Sequence, residues 1–185
     1  VSPMPTTISR VGTGSVTIPN IVPLRDNYQF TGWASGGVTY QPADSFNLTA
    51  NTTLYAQWKR VYTHTITYDA NGGTLSTYGA TTTKGFDYQG TTSSFPIQIK
   101  TGSELGAVRN GYTFSGWNDT ASGTGQTFIG GNSYSFSGDY RLYAQWSART
   151  YTVTINPNGG YIGGSASSIN VSKNYGETFY FSPYL

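Results

Sequence analysis

Eight carboxylates stand along the chain, Asp26, Asp44, Asp69, Asp87, Glu104, Asp119, Asp139 and Glu177, against one histidine, His64, and no cysteine. Two carboxyls facing each other across a cleft would suit glycoside hydrolysis. The sequence pairs none of these eight. Asp26, Asp69 and Asp119 lie in turn-like contexts, where aspartate commonly bonds its own backbone. A zinc site needs a second histidine or a cysteine beside His64. A serine nucleophile would have His64 as its sole base, and no Gly-x-Ser-x-Gly elbow accompanies it. Asn71-Gly72-Gly73 is followed by no helix that could cradle a phosphate. Lys84 and Lys100 sit in polar contexts, so an intramolecular lysine–asparagine bond is not expected, and an intact mass without loss of ammonia would exclude it. No catalytic, cofactor-binding or metal residue is assigned, and an enzyme is not expected.

The remaining chemistry is that of rings. Trp33, Trp58, Trp117 and Trp146 could stack on sugar faces, but their recurrence at equivalent places favours core packing. Tyr55 and Tyr143 alternate with presumed core residues and are the candidates for exposed ligand contact. Aromatics make up 16% of the chain and charged residues only 10%. One aromatic side chain buries about 150–250 Å², so rings can build small cores here.

These side chains are positioned by repeats. Leu54-Tyr55-Ala56-Gln57-Trp58 returns as Leu142-Tyr143-Ala144-Gln145-Trp146. Arg25-Asp26-Asn27-Tyr28-Gln29-Phe30-Thr31-Gly32-Trp33 matches the stretch from Arg109 to Trp117, with Tyr112, Phe114 and Gly116 in register. Thr63-His64-Thr65-Ile66-Thr67-Tyr68 matches Thr150-Tyr151-Thr152-Val153-Thr154-Ile155, and both run on to Asn-Gly-Gly at 71–73 and 158–160. The last pair alternates with a period of two, which reads as a half-buried strand with threonine on its wet face. Asn-Gly marks a tight hairpin. Leu142, Ala144 and Trp146 share one face of the closing strand. Gly116 permits a bend before Trp117. Ser103-Glu104-Leu105, with Gly106-Ala107-Val108, could make one short helical turn, capped by Ser103.

The chain is therefore mainly β, a tandem array with at most one short helix per unit. Residues 1–59 read as the C-terminal part of one unit, 60–147 as a complete second unit, and 148–185 as the N-terminal part of a third. The stretch of about 76–98 reads as an insertion, an expanded loop or added hairpin. Insertions often mark a binding face, so Phe86 and Tyr88 join Tyr55 and Tyr143 as candidate contacts. Partial units should expose unpaired strand edges.

Net charge is +2, and no basic cluster exceeds Lys59-Arg60, so no nucleic-acid partner is expected. No apolar run approaches the ~20 residues that span a bilayer, so membrane insertion is not expected. No signal peptide is visible; beginning at Val1, the chain reads as a processed or excised fragment.

The phrases Asn71-Gly72-Gly73, Gly111-Tyr112-Thr113-Phe114-Ser115-Gly116-Trp117 and Leu142-Tyr143-Ala144-Gln145-Trp146, with Asn174-Tyr175-Gly176 in the third unit, resemble the Listeria–Bacteroides repeat family. The resemblance implies β-grasp-like modules without catalytic residues or cofactors. It implies a bacterial cell-surface, cell-wall-associated or secreted protein whose repeats form a stalk or adhesive segment. Its partners would be a host or cell-surface protein or glycan, and neighbouring repeats of the parent chain. The alternative is a carbohydrate-binding module of a secreted glycan-active protein.

Overall fold

The computed structural model describes residues 14–180; residues 1–13 and 181–185 of the expected first and third units lie outside them. The chain divides into two compact units. The smaller holds described residues 14–63 and 89–95, the larger 64–88 and 96–180. Strands dominate both, and the fold is mainly β in tandem repeat.

The smaller unit carries β1 (Gly14–Thr17), β2 (Tyr28–Ser35), β3 (Val38–Tyr40), β4 (Ser45–Leu48) and β5 (Tyr55–Arg60). β2 lies between β3 and β5, antiparallel to both, while β1 pairs with β4. The β2·β5 register runs Phe30 opposite Trp58, then jumps to Gly32 opposite Gln57 and Trp33 opposite Ala56. One extra residue, Thr31, is thus inserted. A bulge of this kind reverses the in–out phase of a strand. Without it Phe30 and Trp33, three apart, would point to opposite faces. With it their rings meet edge to face at 5.3 Å, and Phe30 meets Trp58 at 5.7 Å. Gly32 carries the bulge at φ 142°, where a Cβ would come within 2.7 Å of the Thr39 methyl and 2.9 Å of the Tyr40 carbonyl.

The larger unit continues with β6 (Tyr62–Asp69), β7 (Thr74–Leu75), β8 (Thr83–Gly90), β9 (Phe95–Gln98), α1 (Gly102–Leu105), β10 (Ala107–Val108), β11 (Tyr112–Asn118), β12 (Thr127–Phe128), β13 (Ser133–Phe136), β14 (Tyr140–Ala148), β15 (Thr150–Ile155) and β16 (Ile169–Asn174). The β3-β2-β5 layer has its counterpart in β12-β11-β14, with the same slip. Phe114 faces Trp146, Gly116 faces Gln145 and Trp117 faces Ala144. Gly116 has φ 144°, and the rings of Phe114 lie 5.0 Å from Trp117 and 5.7 Å from Trp146. Even the cation over the first tyrosine recurs. The Arg25 guanidinium stands 3.9 Å above Tyr28 and that of Arg109 4.1 Å above Tyr112.

The larger unit then adds a layer. β6 lies parallel to β14, with Tyr140 opposite Ile66 and Leu142 opposite Tyr68, and β8 follows on the far side of β6. The core forms beneath this sheet. Ile66, Tyr68, Leu75, Ile99, Leu105, Trp117, Leu142 and Ala144 are all fully buried, and His64 nearly so. Tyr68 packs 4.9 Å from Trp117, and its hydroxyl oxygen accepts from Lys100 N at 2.9 Å. Burial holds the Tyr68 phenol well above its usual range, so it stays neutral. The Trp117 indole donates to Lys100 O at 2.8 Å and that of Trp146 to Ala70 O at 2.9 Å. Both residues of the Asn71-Gly72 turn adopt positive φ, 47° and 85°, as do Asn158 and Gly159 at 46° and 88°. That is the geometry of a tight primed turn.

The stretch 76–98 supplies structural strands. β8 belongs to the five-stranded sheet, and its residues Lys84, Phe86, Tyr88 and Gly90 alternate half-buried with exposed ones. Farther along, Ile97 and Ile99 reach the core.

The short helix is displaced from its expected start. Its cap is Thr101, not Ser103, and Ala107–Val108 form β10 rather than extending the turn. Thr101 Oγ1 accepts from Glu104 N at 3.1 Å, while the Glu104 carboxylate accepts from Thr101 N at 2.7 Å. This reciprocal box needs Ser or Thr three residues before Glu, a spacing Ser103 lacks. The Thr101 backbone and hydroxyl hydrogen bonds depress the Glu104 carboxyl below its usual range. A depressed carboxyl stabilises the fold above its unfolded value and loses that contribution as pH falls through the folded one. We therefore expect Thr101→Ala to cost about 1 kcal/mol near neutral pH. In urea titrations repeated at falling acid pH, the difference between wild type and variant should shrink. A difference that stays constant through the carboxyl range would mean that the Thr101 hydroxyl does not act through the Glu104 carboxylate.

Candidate ligand-contact surface

The four candidate contacts fall in different settings. Tyr55, on the outward phase of β5, is 65% exposed. Phe86 is half-buried. Its ring meets Tyr68 at 5.9 Å and Tyr78 at 5.4 Å, and the Lys84 and Lys100 ammonium groups lie 5.7 and 5.1 Å from its centre. Its surface is largely spent on these neighbours. Tyr88 is half-buried on the same phase of β8. Within the larger unit, neither Phe86 nor Tyr88 lines the cleft that holds Tyr143.

Tyr143 lines an open cleft of about 530 Å³ with Asp119, Thr120, Gly125, Asp139, Tyr140 and Arg141. The alternation of β14 places it there. Leu142 and Ala144 turn into the core, so Tyr143 and Gln145 take the other face. Asp119 and Asp139, which the sequence left unpaired, thus share one cleft. Both are anchored. Asp119 Oδ1 accepts from Gln126 N at 2.9 Å, and Asp139 Oδ1 accepts from Thr65 N at 2.8 Å. Arg141 donates to Asp69 Oδ2 at 3.0 Å. Anchored carboxylates, a guanidinium and two phenol rings on an open face suit hydrogen bonding to hydroxyls and stacking against a ring.

The residue that shapes this cleft is Asn118. It is 1% exposed. Its Oδ1 accepts from Thr120 N at 2.9 Å, Thr120 Oγ1 at 2.8 Å and Gly125 N at 3.1 Å, and its Nδ2 donates to Gly125 O at 3.0 Å. One side-chain amide thus holds a whole loop. The signal in the sequence was an Asn opening a run of turn residues. The matching position in the first repeat is Ala34, beside a shorter loop, so nothing there could hold such a cleft wall.

Among the described residues no group of His, Asp or Glu is placed to hold a metal ion. No helix among them is long and apolar enough to cross a membrane.

The family model for the Listeria-Bacteroides repeat domain matches residues 4–57 and 64–145. A "Putative Gly-rich membrane protein" of Evansella cellulosilytica is 31% identical over 152 residues, which covers 74% of this chain and 16% of that protein. A "Putative membrane protein" of the same organism is 29% identical over 138 residues, with 73% and 19% covered. Internalin H of Listeria monocytogenes is 30% identical over 154 residues, 80% of this chain and 23% of its own length. The chain thus spans less than a quarter of each of these relatives. No solved structure matches it. Two matched segments, each with its own glycine bulge and aromatic cluster, make this chain a member of the Listeria-Bacteroides repeat domain family.

Proposed function

We propose that this chain is a non-catalytic stalk and adhesive segment of a bacterial cell-surface or secreted protein, built from β-grasp-like modules. The observation that carries this reading is the repetition itself. The same bulge, ring cluster and arginine cap recur in both units, so one structural unit has been multiplied. Multiplied modules serve reach and avidity. Weak sites joined in series gain about 10²–10⁴ in effective affinity where geometry allows simultaneous contact. The likeness to Internalin H and to two proteins described as membrane proteins supports a surface setting. The test is retention on host cells and on bacterial cell-wall preparations by one, two and three linked copies of the chain. Retention should climb steeply with copy number. Absence of retention with three copies, or turnover of any substrate, would overturn the reading.

The cleft beside Tyr143 favours a second reading, a carbohydrate-binding module of a secreted glycan-active protein. Its signature would be saturable binding of a single copy to one polysaccharide on a glycan array. Tyr143→Ala would then weaken binding by about tenfold or more, the loss of one stacking contact, with the thermal midpoint little changed.

A further inference from the structure

We infer that the backbone at Gly111 is a docking seat for the repeat that follows. The seat takes the tyrosine of that repeat's Asn-Tyr-Gly turn and fixes the direction in which the chain leaves. This goes beyond the stalk reading, and no ligand or cell surface enters it.

The tyrosine is presented by a turn that holds its own shape. β15 and β16 pair from Thr150 opposite Asn174 to Ile155 opposite Ile169. Beyond β16 the chain turns through Asn174-Tyr175-Gly176-Glu177. Glu177 N donates to Asn174 O at 3.0 Å, Asn174 N donates to Glu177 Oε2 at 3.1 Å, and Gly176 takes φ 88°. The Glu177 carboxylate thus closes the turn, and Tyr175 projects from it.

The seat is built by the preceding repeat. Gly111 directly precedes β11, is buried and has φ 77°. A Cβ added to it would run into the Tyr175 ring. The same ring meets Tyr112 edge to face at 5.6 Å, and its hydroxyl accepts from Asn110 Nδ2 at 3.1 Å. The backbone closes the joint. Arg149, between β14 and β15, donates its N–H to Gly111 O at 2.9 Å, and its own carbonyl accepts from Tyr175 N at 2.8 Å. A ring laid against bare backbone at positive φ is a contact that glycine permits.

The first repeat shows what makes the seat selective. Asn27 stands at the place of Gly111, in the same left-handed region at φ 62°. Its carbonyl accepts from Val61 N at 2.8 Å, the counterpart of the bond from Arg149 to Gly111. The backbone bond therefore recurs, but a side chain now starts where a tyrosine ring would lie. A glycine seat admits a following repeat that carries the tyrosine, and an asparagine seat refuses it.

Amide hydrogen exchange on the 185-residue chain reads the joint. Tyr175→Ala and Gly111→Asn should each speed exchange at Arg149 N and Tyr175 N about tenfold or more, with protection in β6 unchanged. Asparagine keeps the left-handed backbone, as Asn27 does, so Gly111→Asn tests the place of the ring rather than the turn. The double variant should exchange no faster than the faster single one, because both changes remove one contact. Tyr175→Phe keeps the ring and should retain most of the protection. The chain has no cysteine, so spin labels on Thr113→Cys and Ser168→Cys should give one narrow distance in the parent and a broad distribution in each releasing variant. Unchanged exchange in Tyr175→Ala, additive effects in the double variant, or equal release by Tyr175→Phe would overturn the proposal. Loss of protection throughout β6 in Tyr175→Ala would overturn it too, since the contact would then belong to the core rather than to a joint.

Discussion

Trp117→Ala is expected to cost the larger unit about 3–5 kcal/mol, the range for removing a large buried aromatic. Small domains hold only about 5–15 kcal/mol in total, so the variant should lose a large share of the unit's stability. The cost has three sources. The ring is fully buried, it meets Tyr68 at 4.9 Å and Phe114 at 5.0 Å, and its N–H donates to Lys100 O. Its deletion leaves both a cavity and an unpaired carbonyl. Trp33→Ala at the equivalent place should cost the smaller unit distinctly less. Trp33 is only half-buried, and its N–H already lacks an acceptor. That donor therefore contributes nothing that truncation could remove. Urea titrations of both variants, followed by far-ultraviolet circular dichroism, compare the two directly. Equal losses would mean that the hydrogen bond to Lys100 O contributes little to how the Trp117 indole is held.

Gly73→Ala is expected to be the second most damaging change, with a cost of about 1–3 kcal/mol from overpacking. Gly73 follows the Asn71-Gly72 turn, where the chain passes close beneath β14. A Cβ there would stand 2.5 Å from the Val108 carbonyl oxygen and 2.6 Å from the Trp146 ring. Neither can retreat cheaply, because the Trp146 indole is tied to Ala70 O. Gly160→Ala, at the same place in the third repeat, should move stability by less than about 0.5 kcal/mol. Its surroundings are open but for one carbonyl. Thermal melts of the two variants at low protein concentration make the comparison. If Gly160→Ala matched Gly73→Ala, the turn's own backbone rather than the overlying tryptophan would account for the glycine.

Such pairs of variants, identical in sequence context and different in surroundings, separate local from tertiary causes. The alternation of Thr63, Thr65 and Thr67 against His64, Ile66 and Tyr68 is written in residue types, and the structure buries the second set. The same alternation in 150–155 leaves every residue but Ile155 exposed. The strand forms in both places because β-branched residues and a tight Asn-Gly turn favour it locally. Its burial depends on β14, which lies more than seventy residues away in sequence in the larger unit.

What the sequence determined by itself is the repeated unit: strands, primed turns, tryptophans committed to packing, and the family. These follow from short-range physics, that is, backbone preference, side-chain period and the φ tolerance of Asn and Gly. Tertiary structure alone decided the rest. It set the bulge that brings Phe114 and Trp117 to one face, the parallel seat of β6 on β14, and the place of β8 in the sheet. It also made the Thr101 cap and gathered Asp119, Asp139 and Tyr143 around a loop held by Asn118. Each of these depends on which distant backbone lies alongside, and register between strands far apart in sequence is settled by how their side chains fill the shared core.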